Sequence, residues 1–147
     1  MSGKVNAAME WRLAVRDESD VAMVRKRTRE VGRDTGLRPA AVEALATAVS
    51  EVTRNIVVHA DSGEVVIRVG EVDGRAALVL IAHDQGPGIA DLDRAMEDGY
   101  STGGGLGIGL PSARRLTDRF EIVSAPAQGT TVTLSMWIEP SNVKESR

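Results

Sequence analysis

The sequence predicts an α+β fold in two layers, with helices on one face of a mixed, mostly antiparallel sheet. Two observations support this prediction. Segments with strand-like alternation are joined by short turns, above all by Asp73-Gly74, a dipeptide typical of a hairpin. Two long segments near the amino terminus carry apolar residues at every third or fourth position, as expected of helices that cover one side of a sheet.

The composition indicates one globular domain, residues 1–147, with a core from about residue 10 to 138 and flexible tails at 1–8 and 140–147. The chain is 42% hydrophobic and only 3% aromatic, so valine, alanine and leucine must fill the core. Without cysteine, thiol nucleophiles, disulfides and cysteine-zinc sites are excluded, and two histidines cannot make a histidine-rich metal centre.

Charge and hydropathy argue against nucleic acid and membrane as partners. The net charge is −3, and no segment reaches the roughly 18 apolar residues of a membrane span. Local basic patches at Arg25–Arg29 and Arg114-Arg115 are interpreted as solvated helix faces. We therefore expect a cytoplasmic protein that binds no nucleic acid and no membrane.

The first half of the chain predicts an edge strand followed by two helices. Glu10–Arg16 alternates imperfectly, and Asp17 is a candidate cap of a helix that begins near residue 20 and ends by Gly36. Pro39 opens a second helix that runs to about His59. The residues predicted to face the core are Val21, Val24, Thr28 and Val31 in the first helix, and Val42, Leu45, Val49, Val52 and Ile56 in the second.

The second half predicts four more strands and two helices. Asp91–Asp98 is predicted as a short helix and Gly107–Thr117 as a longer one. An Ala-Gln-Gly turn separates the last two strands. The predicted strands are Glu64–Val72, Arg75–Ala82, Arg119–Ser124 and Thr130–Ile138.

Glu51 and Asn55 form a candidate catalytic and metal-binding pair on the second helix. Four residues apart, they project about 40° from each other, at the margin of the buried face. An amide oxygen can bind Mg²⁺ while a neighbouring carboxylate accepts a proton from an attacking hydroxyl, as phosphoryl transfer requires. A solvated helix face also accounts for such a pair. His59 is interpreted as a hydrogen-bonded residue at the helix end.

Two glycine-bearing segments are candidates for nucleotide binding. Asp84-Gln-Gly-Pro-Gly88 follows an apolar strand, and its aspartate can accept a hydrogen bond from an exocyclic amine; an ordinary Asx-turn is the alternative. The glycines of Gly103–Gly109 let backbone amides approach an anion just before a helix. This segment fits neither the P-loop nor the Rossmann spacing, and a flexible hinge is its alternative.

The order of these features is more specific than any one of them. Glu51 and Asn55, the Asp84 turn, the glycine segment and Gly129-Thr130 follow one another on suitable elements. This order resembles the GHKL group of ATPases and kinases, shared by DNA gyrase, the heat-shock chaperone, histidine kinases and mismatch-repair proteins, over about residues 10–138. The resemblance implies a Bergerat-type ATP-binding fold with ATP and Mg²⁺ as cofactors.

The resemblance implies a role for each matching residue. Glu51 matches the general base, Asn55 the magnesium ligand, and Asp84 the residue that recognises adenine, with Thr130 supporting it through water. Residues 90–102 occupy the place of the ATP lid. The remaining nucleotide-binding positions are Gly86 and Gly88 in the turn, and Gly103, Gly104, Gly105, Leu106, Gly107 and Gly109 in the triphosphate-binding box.

Within this group the chain resembles the RsbT-type switch kinases. The strings that support this resemblance are Ser50–Ile56, Asp84–Ile89 and Met96–Pro111. It implies a serine/threonine protein kinase that phosphorylates a STAS-domain antagonist, leaves a stressosome-like assembly and then activates a PPM-type phosphatase. Arg54 and the short lid favour this switch type.

Two alternatives stay open at the level of sequence. One is an anti-sigma factor kinase that binds a sigma factor directly, and the other is an ATP-gated binding module with little turnover. The sequence does not define the phosphoacceptor residue, the activating signal or the oligomeric state, and a homodimer remains compatible with it.

Overall fold

The computed structural model describes residues 5–89, 96–97 and 109–139, with side chains from Met9 onward. These residues form two layers, a five-stranded sheet and three helices, which confirms the predicted α+β fold. No helix among them is long and apolar enough to cross a membrane. The elements are β1 (Val5–Val15), α1 (Glu18–Asp34), α2 (Pro39–His59), β2 (Gly63–Val72), β3 (Arg75–Asp84), α3 (Leu110–Leu116), β4 (Arg119–Ser124) and β5 (Thr130–Trp137).

The strands lie in the order β1-β2-β3-β5-β4. Every pairing within the described sheet is antiparallel, so the expected parallel component is not found in these strands. Asp73 and Gly74 join β2 to β3 with φ angles of 53° and 80°, both in the left-handed region that a tight hairpin turn requires. The predicted hairpin is therefore confirmed.

The helices lie on one face of the sheet. Every residue predicted to face the core from α1 and α2 is buried. These residues meet the sheet side chains that point the same way, and the resulting core is aliphatic, as the composition predicts. The sheet contributes Val65, Ile67, Leu78, Leu80, Val132 and Leu134 to this core.

The opposite face of the sheet carries a smaller apolar cluster and several ion pairs. Ala77 and Val79 are fully buried there, and the Arg75 guanidinium lies 4.5 Å from the ring centroid of Trp137. Near β1, the hydrogen bond from Arg68 lowers the pKa of Glu10. Side chains that alternate between the faces thus separate the core from the exposed surface.

β1 begins at Val5, earlier than the predicted start at Glu10, and ends at Val15. A bulge between Ala7 and Met9 shifts its register against β2. A bulge interrupts the alternation of side chains, so the first residues do not show the strand pattern in sequence. Residues 5–8 of the predicted flexible tail therefore belong to the sheet.

α1 begins at Glu18 rather than near residue 20, and its first turn is closed by a capping box. The Asp17 carboxylate accepts hydrogen bonds from the backbone N–H groups of Ser19 at 3.0 Å and Asp20 at 3.2 Å. The Asp20 carboxylate accepts in return from the Asp17 N–H at 3.4 Å. Hydrogen bonds from the Ser19 hydroxyl and the Asp20 N–H lower the pKa of Asp17.

The lowered pKa of Asp17 predicts a pH-dependent contribution to stability. A carboxyl whose pKa is lower in the folded chain stabilises the fold above its unfolded pKa of about 3.9, and the effect is lost as the pH falls through the folded value. We expect Asp17→Ala to lower the Tm at pH 7, with a difference from the wild type that narrows in acid. Asp17→Asn keeps an acceptor oxygen and should therefore lower the Tm by a smaller amount. A difference for Asp17→Ala that stays constant between pH 7 and pH 2 would contradict this account.

Candidate functional site

A cavity of about 480 Å³, a volume that includes the solvent space at its mouth, lies between α2, the ends of β3 and β5, and the first residue of α3. Its polar lining residues are Asn55, His59, Asp84 and Thr130. Its walls are mostly apolar and include Val52, Ile56, Ala60, Ala82, Pro87, Ile89, Leu110 and Val132.

The pairing of β3 with β5 sets the floor of the cavity. Asp84 lies opposite Thr130 in the register, and both follow the alternation that points Leu80 and Leu134 toward the helices. Asp84 is 8% exposed, the only acidic residue of the described chain that is buried. The structure therefore brings these two predicted residues together under α2.

The Asp84 segment forms an Asx-turn, and the same aspartate lines the cavity. In this turn the Asp84 Oδ1 atom accepts a hydrogen bond from the Gly86 N–H at 2.8 Å. A Cβ atom on Gly86 would lie 2.6 Å from the Ala60 Cβ, and one on Gly88 would overlap the Ala125 carbonyl. The turn is thus packed between the end of α2 and the β4–β5 loop.

Along α2, Asn55 and His59 line the cavity, whereas Glu51 lies one helical turn before Asn55, outside the lining and against Gly109. The Glu51 side chain is 30% exposed, in agreement with its predicted place at the margin of the buried face. Arg54 lies 4.0 Å from the Glu51 carboxylate and donates to the Glu18 carboxylate of α1 at 3.2 Å. The predicted base is therefore partly solvated and flanked by a cation.

Gly109 brings the end of the glycine segment against Glu51. Its φ of 79° is left-handed, and a Cβ atom there would lie 2.7 Å from the Glu51 Cβ and overlap the carboxylate. Because this left-handed residue interrupts helical geometry, α3 begins at Leu110 and not at Gly107 as predicted. Helix α3 then packs on α2 through Leu110 and Ala113.

Several predicted features lie outside the described residues. Among residues 90–102, the proposed place of the lid, only Met96 and Glu97 are described, so the predicted helix Asp91–Asp98 is not assessed. The same holds for five of the predicted nucleotide-binding residues: Gly103, Gly104, Gly105, Leu106 and Gly107.

Sequence reasoning did not find the residues that surround the predicted polar groups. The Ser124 hydroxyl contacts the Thr130 hydroxyl at 2.8 Å and accepts from the Ile89 N–H at the same distance. A signal was present in β4, where Phe120 and Ile122 point into the core and the same alternation brings Ser124 to that face. A polar residue at a core-facing strand end indicates a hydrogen-bonded role.

Comparison with known proteins identifies a family over most of the chain. Residues 14–136 match the family described as histidine kinase-like ATPase domain. The serine/threonine-protein kinase RsbT of Bacillus subtilis (strain 168) is 40% identical over 121 residues, which are 82% of this chain and 91% of that protein. The anti-sigma F factor of Caldanaerobacter subterraneus subsp. tengcongensis is 32% identical over 98 residues, 63% of this chain and 67% of that protein.

A solved structure shows the same fold. The crystal structure of the RsbU and RsbW domains of Rv1364c from Mycobacterium tuberculosis matches 88% of this chain with a TM-score of 0.57 and 22% identity. The match spans 33% of that longer chain. At this level of identity, the likeness is evidence for the fold alone.

The contact between Gly109 and Glu51 predicts a specific cost for a methyl group. We expect Gly109→Ala to lose more stability than the about 1 to 3 kcal/mol of a left-handed alanine, because it must also displace the Glu51 side chain. Gly74→Ala is the matched control, since Gly74 has a φ of 80° and no atom within 4 Å of the added Cβ. Urea unfolding of both variants measures the difference, and equal losses would contradict the close contact.

Proposed function

The chain belongs to the histidine kinase-like ATPase family and is a kinase of the GHKL type, and we propose that it transfers the γ-phosphate of ATP to a serine or threonine of a STAS-domain antagonist. In this proposal it acts in the cytoplasm as a switch in a stressosome-like, partner-switching stress response. It then activates a PPM-type phosphatase. The likeness to RsbT supports the kinase activity, and the sequence resemblance suggests the partners.

One observation carries the proposed chemistry: Asn55, Asp84 and Thr130 line a single cavity. Glu51 lies one helical turn before Asn55 and packs against Gly109, the residue before the lining residue Leu110. The apolar walls suit the flat faces of a purine ring. A carboxylate has about four acceptor positions, so the bond from Gly86 leaves Asp84 able to accept from the exocyclic amine of adenine. Guanine presents a carbonyl oxygen at that position, and the carboxylate would repel it.

Asn55 is the proposed magnesium ligand. Among the described residues, no group of three His, Asp or Glu side chains is placed to hold a metal ion. A ligand set of one amide oxygen together with phosphate oxygens and water is typical of Mg²⁺ in phosphoryl transfer. When bound, the ion would offset the negative charge of the phosphates.

Glu51 is the proposed general base. Its partly solvated carboxylate can accept the proton of the attacking serine or threonine hydroxyl. The freed oxygen then forms a bond to the γ-phosphorus as the bond to the β-γ bridging oxygen breaks, and ADP leaves with that oxygen. The partial exposure of Glu51 suits this step, because a protein substrate must reach the carboxylate from solvent.

A second candidate is an anti-sigma factor kinase that holds a sigma factor as well. The identity of 32% to an anti-sigma F factor favours it, although RsbT matches a larger share of this chain. Pull-down of purified sigma factors and STAS-domain proteins by the full chain separates the two functions, since a switch kinase should retain only the STAS protein.

The general-base role predicts that Glu51→Gln abolishes transfer without abolishing nucleotide binding. The amide keeps the size of the side chain but cannot take the proton, so the rate of transfer to a STAS-domain substrate should fall about 10² to 10⁴-fold. The measurements are a radiolabelled-ATP transfer assay and ADP affinity by calorimetry. Glu43→Gln is the matched control, because Glu43 is an exposed residue of α2 that pairs with Arg29.

Two outcomes would contradict parts of the proposal. If Glu51→Gln transferred phosphate at the wild-type rate, Glu51 would not be the general base. If the wild type bound ATP but transferred phosphate to no STAS-domain protein, and signalling in cells survived Glu51→Gln, the chain would be an ATP-gated binding module instead.

The adenine role predicts that Asp84→Asn weakens ATP binding while keeping the turn. The asparagine oxygen can still accept from the Gly86 N–H, but the loss of a charged acceptor should raise the Kd about 10-fold or more. Purine riboside triphosphate, which lacks the exocyclic amine, supplies the control. The wild type should prefer ATP over this analogue, and Asp84→Asn should reduce the preference. An unchanged ATP affinity would disprove the assignment.

A further inference from the structure

Ser124 connects two residues that line the cavity. The Ile89 N–H donates to the Ser124 Oγ atom at 2.8 Å, and the Thr130 Oγ1 atom lies 2.8 Å from the same oxygen. The Ser124 hydroxyl also lies 3.2 Å from the Gly129 carbonyl oxygen. Ile89 follows the Asp84 turn and Thr130 opens β5, so one half-buried hydroxyl holds two separate walls of the cavity.

The number of protons limits how these groups can be bonded. A serine hydroxyl has one proton, and its oxygen already accepts from the Ile89 N–H. The proton can go to the Gly129 carbonyl, in which case Thr130 donates to Ser124 and offers the cavity only an acceptor. Alternatively it can go to Thr130, which leaves the Thr130 proton to be donated elsewhere.

Both arrangements keep the Thr130 hydroxyl bonded to Ser124, because the 2.8 Å contact between the two oxygens is the same whichever of them donates. Hydroxyl-to-oxygen hydrogen bonds are commonly about 2.7 to 2.8 Å long. The contact with Thr130 at 2.8 Å meets this range, whereas the contact with the Gly129 carbonyl at 3.2 Å is long. In either arrangement the bond to Ser124 restricts the rotation of the Thr130 hydroxyl, which can then contact the adenine ring or a water molecule bound to it.

We infer that Ser124 is a positioning residue for the nucleotide: its oxygen, itself held by the Ile89 N–H, fixes the Thr130 hydroxyl at the floor of the cavity. This inference rests on the proposed binding of ATP in the cavity. The register extends the floor of the cavity across three strands, because Ser124 lies opposite Thr130 and Thr130 opposite Asp84. Ser124 is the member of this row that lies beyond the cavity lining and acts through its neighbours.

The test is the Kd of ADP, measured by calorimetry on the full chain and a set of variants. Ser124→Ala removes the hydrogen bonds of this hydroxyl, including the one to Thr130, and should weaken ADP binding about 10-fold. Ser124→Thr keeps the hydroxyl and should bind within about threefold of the wild type. Val123→Ala is the matched control, since Val123 is the neighbouring residue of β4, points to the other face and is 73% exposed; it should leave the Kd unchanged.

A double-mutant cycle separates positioning from a purely structural role. If Ser124 acts through Thr130, then Ser124→Ala in a Thr130→Ala background should weaken ADP binding by no more than about twofold further. Additive losses would overturn the inference, as would wild-type affinity in Ser124→Ala. If Ser124→Ala does not fold, the ADP affinity of Ser124→Cys tests the inference instead, because a thiol fills the space of the hydroxyl but is a weak acceptor. Wild-type affinity in Ser124→Cys would also overturn the inference.

Failure of this inference differs from failure of the proposed function. If the wild-type chain bound no ADP, the proposed ATP site itself would be wrong. If the wild type bound ADP and the Ser124 variants bound it equally well, only the positioning role would be lost.

Discussion

The antiparallel register across β2, β3, β5 and β4 is the constraint on which the site depends. It aligns Gly63, Asp84, Thr130 and Ser124 in one row on the face that the helices cover. A slip of one residue in any pairing would turn the shifted side chains to the opposite face. The aliphatic core resists such a slip, because a slip would expose the buried side chains that precede this row on β3 and follow it on β5. The packing that stabilises the fold therefore also positions the cavity floor.

Helix α2 covers the same cavity with apolar and polar side chains from different positions along the helix. Val52 and Ile56 belong to the apolar wall, and Asn55 and His59 add polar groups. Glu51 lies outside the lining, at a partly exposed edge of the helix beside Gly109. The ion pair between Arg54 and Glu18 links this edge to α1, although exposed pairs contribute only about 0 to 1 kcal/mol. Glu51 itself packs against Gly109, which leaves no space for a Cβ atom at that position.

Much of this arrangement could be predicted from the sequence because it follows local rules. The apolar stripes of α1 and α2 and the Asp73-Gly74 turn obey periodicity and backbone sterics. The order of Glu51, Asn55, Asp84 and Thr130 along suitable elements suggested a shared site before any distance was known.

The features that sequence did not predict depend on tertiary contacts. The bulge in β1 concealed the start of that strand, and the left-handed Gly109 placed the start of α3 later than expected. Ser124 belongs to no motif, and only the pairing of β4 with β5 reveals its contact with Thr130. The role of a single polar residue at a strand end depends on which residues the neighbouring strand places beside it.

A crystal structure of the full chain with Mg²⁺ and a non-hydrolysable ATP analogue would test the central claim most directly. The account predicts that the adenine amine lies within hydrogen-bond distance of the Asp84 carboxylate, with the metal ion bound to the Asn55 side-chain oxygen. An adenine ring bound away from Asp84, or a metal ion held by residues other than Asn55, would contradict it.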